Sequence, residues 1–83
     1  MFSYKSNIYL NTIVKVKVFV SIVIKYADVD VEVHQGKYVV DGKSIMGIFS
    51  INLCNELSVF FNSPNKESIE SLLNELRYCE IEA

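Results

Sequence analysis

Within six residues the chain turns from a strand-like run into a helix start, and this change limits its folds more than any other feature. Gly42-Lys43-Ser44-Ile45-Met46-Gly47 follows the apolar run Tyr38 to Val40. Asp41-Gly42-Lys43 breaks the strand, and Ser44 has the short oxygen-bearing side chain that satisfies a first-turn amide. A short helix is therefore predicted over Ile45 to Ile51, with Ile45, Ile48 and Phe49 along neighbouring faces.

The other elements fall around that switch. Phe2, Tyr4 and Ile8 share one parity with polar Ser3 and Lys5 between them, which suits a half-buried first strand. Val29 to Val33 alternates with Asp28, Asp30 and Glu32 as a strand with one wet face. His34-Gln35-Gly36-Lys37 reads as the turn of a hairpin whose return strand is Tyr38 to Val40, with Gly36 able to take positive φ. Leu57 to Asn62 is a fourth strand, and Ser63-Pro64-Asn65 punctuates before a last helix over Lys66 to Tyr78. Its apolar positions Ile69, Leu72, Leu73 and Leu76 recur at helical spacing, with Glu67, Glu70 and Glu75 on the wet side.

Residues Ile13 to Tyr26 support two readings. Val14, Val16, Val18, Val20, Ile22 and Ile24 alternate with Lys15, Lys17 and Ser21 as a strand would, and the many β-branched residues favour that reading. Taken as a helix, capped by Asn11 or Thr12, the same stretch carries a stripe of Ile13, Val16, Val20, Val23 and Ile24. Periodicity alone favours the strand.

Size and charge narrow the class. Eighty-three residues make a single domain, 1–83, with a small core, because a chain of this size hides only about 60 to 65% of its unfolded surface. A hydrophobic content of 51% with five Tyr and five Phe lies far from the composition of disordered chains. A net charge of -2, with no basic stripe beside an aromatic platform, argues against a nucleic-acid partner. Cys54 and Cys79 lack metal or disulfide spacing and read as buried or semi-buried thiols in a reducing cytosol. The strongest apolar stretch, Val18 to Ile24, is far shorter than the roughly 20 residues that span a bilayer, and no export signal opens the chain. A cytoplasmic location without membrane insertion is expected.

The element order, with Lys43-Ser44-Ile45-Met46-Gly47 between the third strand and a short second helix, resembles the HPr phosphocarrier family of the bacterial sugar phosphotransferase system. Lys25-Tyr26, the acidic-apolar alternation to Val33 and the Glu-rich last helix are similar as well. The resemblance implies an α+β fold, the HPr-like open-faced β-sandwich in β-α-β-β-α-β-α order, with a four-stranded antiparallel sheet and three helices on one face. It also reverses the strand reading of residues 13–26, because the family has a helix there.

In that family a Gly-Ile-His-Ala-Arg-Pro-like run opens the first helix, and its histidine accepts phosphate from enzyme I and passes it to sugar permease components. Aligned backward from Lys25-Tyr26, this chain has Thr12 at the histidine position and Val14 at the arginine position. A threonine phosphoester is far more stable than phosphohistidine and would trap the group, so histidine carrier activity is not expected and the chain is not expected to be an enzyme. The chain also resembles catabolite-repression variants of Gram-positive bacteria that lack the histidine and keep the serine. It departs from the family in losing the Ala-Arg-Pro surround and in the short loop Cys54-Asn55-Glu56.

The remaining candidates follow. Ser44 is a helix cap and, by the resemblance, a candidate regulatory phosphorylation site for an ATP-dependent serine kinase. Ile45, Met46 and Phe49 resemble the apolar patch through which family members meet their partners; the alternative places Ile45 and Phe49 in the core. Thr12 is read as a cap, and His34 as an exposed turn residue without a second metal ligand in reach, so no metal and no cofactor are expected. Lys15, Lys17 and Lys25 read as a solvated face. The expected function is that of an HPr-like regulatory, protein-binding member, a monomer whose partners are phosphotransferase-system components, a serine kinase or a transcriptional regulator. The alternatives are a phosphocarrier that uses His34 or Thr12, and a degenerate interaction module.

Overall fold

A computed structural model describes residues 1–79 and 81. Its elements run β1 (Phe2–Ile8), α1 (Ile13–Val23), β2 (Asp30–Gln35), β3 (Tyr38–Asp41), α2 (Ile45–Phe49), β4 (Leu57–Ser63) and α3 (Lys66–Tyr78). The four strands form one antiparallel sheet in the order β1-β4-β2-β3. This is the α+β architecture expected, an open-faced sandwich with the three helices covering one side of the sheet.

Strand parity separates a dry face from a wet one. Leu57, Val59, Phe61 and Ser63 of β4 are buried, and their partners in β1 are Ile8, Ser6, Tyr4 and Phe2. Val31 and Val33 continue this face in β2. Ser63, fully buried, is satisfied by the Asn65 amide, which donates to its Oγ at 3.0 Å. The alternate residues Lys5, Phe60, Glu32 and Asp41 lie in one row across the opposite, open face.

Residues 13–23 are helical although their β-branched side chains favour a strand. The alternating set predicted for a strand splits in depth: Val16 and Ile22 are buried while Val14 and Ile24 are 69% and 55% exposed. The buried stripe is Val16, Phe19, Ile22 and Val23, which is helical spacing facing the dry side of the sheet and α3. The predicted stripe therefore needs correcting at its ends, where Ile13 and Ile24 are exposed and Phe19 and Ile22 take their place. A sheet with one apolar face must be covered, and tertiary burial outweighs a propensity deficit of a few tenths of a kcal/mol, or ~0.5, per residue.

Helix α3 has the bounds its periodicity indicated, and Ile69, Leu72, Leu73 and Leu76 are all buried. Asn65 caps it, accepting from the Glu67 amide at 3.1 Å, while Glu67 in the first turn and Arg77 in the last oppose the helix dipole favourably. Helix α2 is shorter than predicted, ending at Phe49, because Ser50 takes the C-cap position and its hydroxyl donates to the Gly47 carbonyl at 2.5 Å. The hairpin turn is also shorter. His34 and Gln35 pair with Val39 and Tyr38, so Gly36 and Lys37 alone make the turn, with Gly36 at φ 57°.

Candidate functional site

Thr12, the position that the family resemblance aligns with a histidine, stands at the mouth of α1. The chain leaves β1 through exposed Tyr9 and buried Leu10, and Thr12 adopts an extended conformation, φ -133° and ψ 154°. Its Oγ1 accepts from the Lys15 amide at 3.1 Å, the bond that an N-cap makes. Ile13 and Val14, the first two residues of the helix, are 62% and 69% exposed. This helix mouth thus presents a hydroxyl and two apolar side chains to solvent. Sequence reasoning placed Ile13 on the core stripe and so missed this apolar surface.

His34 lies on the other side of the sheet. Buried Val31 and Val33 point toward the helices, and His34 has the opposite parity, which puts it on the open face. Its Nε2 is 3.0 Å from Glu32 Oε1, and its ring centroid is 4.4 Å from that of Phe60 at an interplanar angle of 55°. Lys5 approaches the same Phe60 ring, with Nζ 5.8 Å from the centroid. The imidazole is therefore a half-buried strand residue packed on an aromatic ring, and the reading of it as an exposed turn residue is corrected. Pairing of Gln35 with Tyr38 carries β2 past His34.

Ser44 stands at the start of α2. It is half-buried, with φ -105° and ψ 108°, and its Oγ accepts from the Gly47 amide at 3.1 Å. Lys43 Nζ donates to the Tyr26 carbonyl at 2.8 Å, and the Lys43 amide donates to Asp41 Oδ1 at 2.9 Å. Tyr26 follows the C-terminal end of α1, so α2 begins beside the end of α1 remote from Thr12. The eleven residues of α1 span about 16 Å. The two capping hydroxyls are separate features, not parts of one cluster.

In α2, Ile48 is fully buried and anchors the helix, and Ile45 is half-buried against the core. Met46 is 78% exposed and Phe49 is 42% exposed. After the helix, Asn52 exchanges two hydrogen bonds with the Gln35 side chain, its amide donating to Oε1 at 3.0 Å and its carbonyl accepting from Nε2. This tie fixes the loop after α2 against the end of β2, and no periodicity in the sequence signalled it.

Of the three lysines read as a solvated face, Lys15 is half-buried, and Lys25 pairs with Glu75 of α3. Cys54 and Cys79 are free and exposed, which corrects their reading as buried or semi-buried thiols. Cys54 lies in the irregular loop before β4, and Cys79 is the C-cap of α3, beyond its last buried position. Among the described residues no group of three His, Cys, Asp or Glu side chains is placed to hold a metal ion, and no helix is long and apolar enough to cross a membrane.

No protein-family model matches the chain, and no curated protein matches it. Solved structures do. The chain is similar to HPr-C-His from Thermoanaerobacter tengcongensis, with a TM-score of 0.65, 24% identity and coverage of 89% of each chain. It is also similar to the phosphocarrier protein HPr from Bacillus anthracis str. Ames, with a TM-score of 0.62, 21% identity, and coverage of 89% of this chain and 94% of that one. The fold is HPr-like over nearly the whole length of the chain.

Proposed function

We propose that this chain is an HPr-like regulatory, protein-binding member related to the sugar phosphotransferase system, with no enzymatic turnover and no relay of phosphate through histidine. The observation that carries this reading is at the front of α1, where the side chain is Thr12, already engaged as the helix cap. The imidazole of His34 lies across the sheet from it. A phosphoryl carrier needs a nucleophile whose phosphorylated form gives the group away again, and a threonine ester does not.

Its action is docking, with Ser44 as the switch. Transfer of the γ-phosphoryl group of ATP to Ser44 Oγ, with loss of the hydroxyl proton, would add about -1.5 to -2 charges beside the first turn of α2. Exposed Met46 and Phe49 follow within the same helix, so the new charge would stand next to the apolar surface that a partner contacts. The partners on this reading are proteins in a cytoplasmic setting: phosphotransferase-system components, a serine kinase or a transcriptional regulator.

Two incubations test it. With phosphoenolpyruvate and enzyme I the chain should acquire no label; an acid-labile label lost on His34→Ala, or an acid-stable label lost on Thr12→Ala that a permease component then removes, would instead assign a phosphocarrier. With ATP and the HPr serine kinase, wild type should be labelled and Ser44→Ala should not. Absence of any Ser44-dependent label would leave an interaction module without the switch.

A further inference from the structure

We propose that Lys43 relays the state of Ser44 to the junction of α1 and α3, moving its ammonium from the Tyr26 carbonyl to the phosphate when Ser44 is phosphorylated. The relay rests on Ser44 being the switch proposed above, and it gives that switch an effect beyond the docking helix.

Lys43 joins two segments that lie far apart in the chain. Its Nζ donates to the Tyr26 carbonyl at 2.8 Å in a part-buried setting, so the residue before the α2 cap holds the segment that follows α1. Among the described residues Lys43 forms no ion pair, and its charge is met by a neutral dipole. A phosphoserine dianion is a stronger partner for an ammonium than a carbonyl is, because both groups are then ionised. The two residues are neighbours, with about 3.8 Å between their Cα atoms, and the flexible lysine stem can swing from one acceptor to the other. Lys43 is also the only Lys or Arg between Lys37 and Lys66. No other cation of that stretch competes for the phosphate.

The Tyr26 carbonyl can release the lysine without being orphaned, since it also accepts from the Val29 amide at 3.1 Å. Tyr26 is the hub of the junction. Its amide donates to the Val23 carbonyl at 3.2 Å, and its hydroxyl donates to Glu75, whose carboxylate also accepts from Lys25. The ammonium of Lys43 thus has two places, of which only one braces the turn after α1, and phosphorylation changes which is filled. Glu75 in turn lines a groove of about 370 Å³ between α1 and α3, a surface to which Met46 and Phe49 do not contribute.

The test uses the full isotope-labelled chain with phosphoserine placed at position 44 during translation by a suppressor tRNA. No kinase is needed, so failure of the Ser44 labelling described above leaves this result intact, and failure here leaves that labelling intact. Against the unmodified chain, the Tyr26 carbonyl carbon and ring should shift, and amide exchange at Tyr26 and Val29 should quicken about threefold. With Lys43→Met, whose β4 and α3 shifts report that it folds, phosphorylation should leave the Tyr26 signals where they were. Lys43→Arg, which keeps a cation and its donors, should restore the response. The proposal is overturned if the phosphate leaves Tyr26 unmoved in the native chain, or if Tyr26 moves as far in Lys43→Met as in the native chain.

Discussion

Tyr26 donates its hydroxyl proton to Glu75, joining the segment after α1 to the middle of α3, and the same carboxylate also accepts from Lys25 Nζ. Burial, together with the hydrogen bond to Glu75, pushes the Tyr26 phenol up to about 12. The bonds from Lys25 and then Tyr26 hold Glu75 below its ordinary carboxylate value. Both shifts describe the tie of α1 to α3 that closes the helical layer.

The tie predicts a stability profile with two limbs. Glu75 is more acidic folded than unfolded, so its contribution is present above about 4.5 and is lost as pH falls through the lowered folded value. Tyr26 is less acidic folded than unfolded, so its contribution is present below about 10 and is lost as pH rises from there toward about 12. Urea unfolding across pH should show Tyr26→Phe losing about 1 kcal/mol at neutrality, a modest figure because Glu75 is partly solvated. Tyr26→Phe should also flatten the alkaline limb, and Glu75→Gln the acid limb; a variant retaining both limbs would exclude the pair as their source.

Gly42 is a packing constraint. Its amide donates to the Val31 carbonyl at 2.8 Å, and a Cβ on it would lie 2.4 Å from Val31 Cγ1 and 2.9 Å from Val31 Cβ. Val31 is buried in a paired strand, so the strand and turn must part to accept a methyl group. Gly42→Ala should cost about 2 kcal/mol or more in chemical denaturation, with the double variant Gly42→Ala, Val31→Ala recovering part of the loss.

Gly36 meets a different limit. Nothing lies within 4 Å of a Cβ added there, but its φ of 57° belongs to the left-handed region. Gly36→Ala should lower stability by about 1 kcal/mol, while Gly36→Asn, which tolerates that conformation, should lower it less. Equal losses would show that conformation is not the determinant.

The two caps should respond alike in stability and differ in phosphorylation. Thr12→Ala and Ser44→Ala each remove a side-chain acceptor from a first-turn amide and should each cost about 1 kcal/mol. Ser44→Asp should restore most of that loss, because an aspartate caps equally well, and it should not be labelled by a serine kinase. A Ser44→Asp variant as unstable as Ser44→Ala would place the role of Ser44 outside capping.

Much of the fold is legible in the chain itself. The spacing of Ile69, Leu72, Leu73 and Leu76 has one solution, and Lys66–Tyr78 is that helix. Ser44 announces a helix start because its short oxygen-bearing side chain acts on an amide only three residues away. Local chemistry of this kind needs no knowledge of the rest of the molecule.

Residues 13–23 required the rest of the molecule. Their own preference is extended, and they become helical because the dry face of Leu57, Val59 and Phe61 has to be covered, a demand made by residues more than thirty positions away. The same holds for the exposure of Ile13, Val14 and Cys79, the placement of His34 on Phe60, and the bond from Lys43 to Tyr26. Sequence by itself determined the capped helix starts, the last helix and the alternating strands, since these depend on neighbours a few residues apart. Only tertiary structure decided which apolar side chains were left over for solvent and partners, because burial is settled by what the sheet and helices cover once they meet.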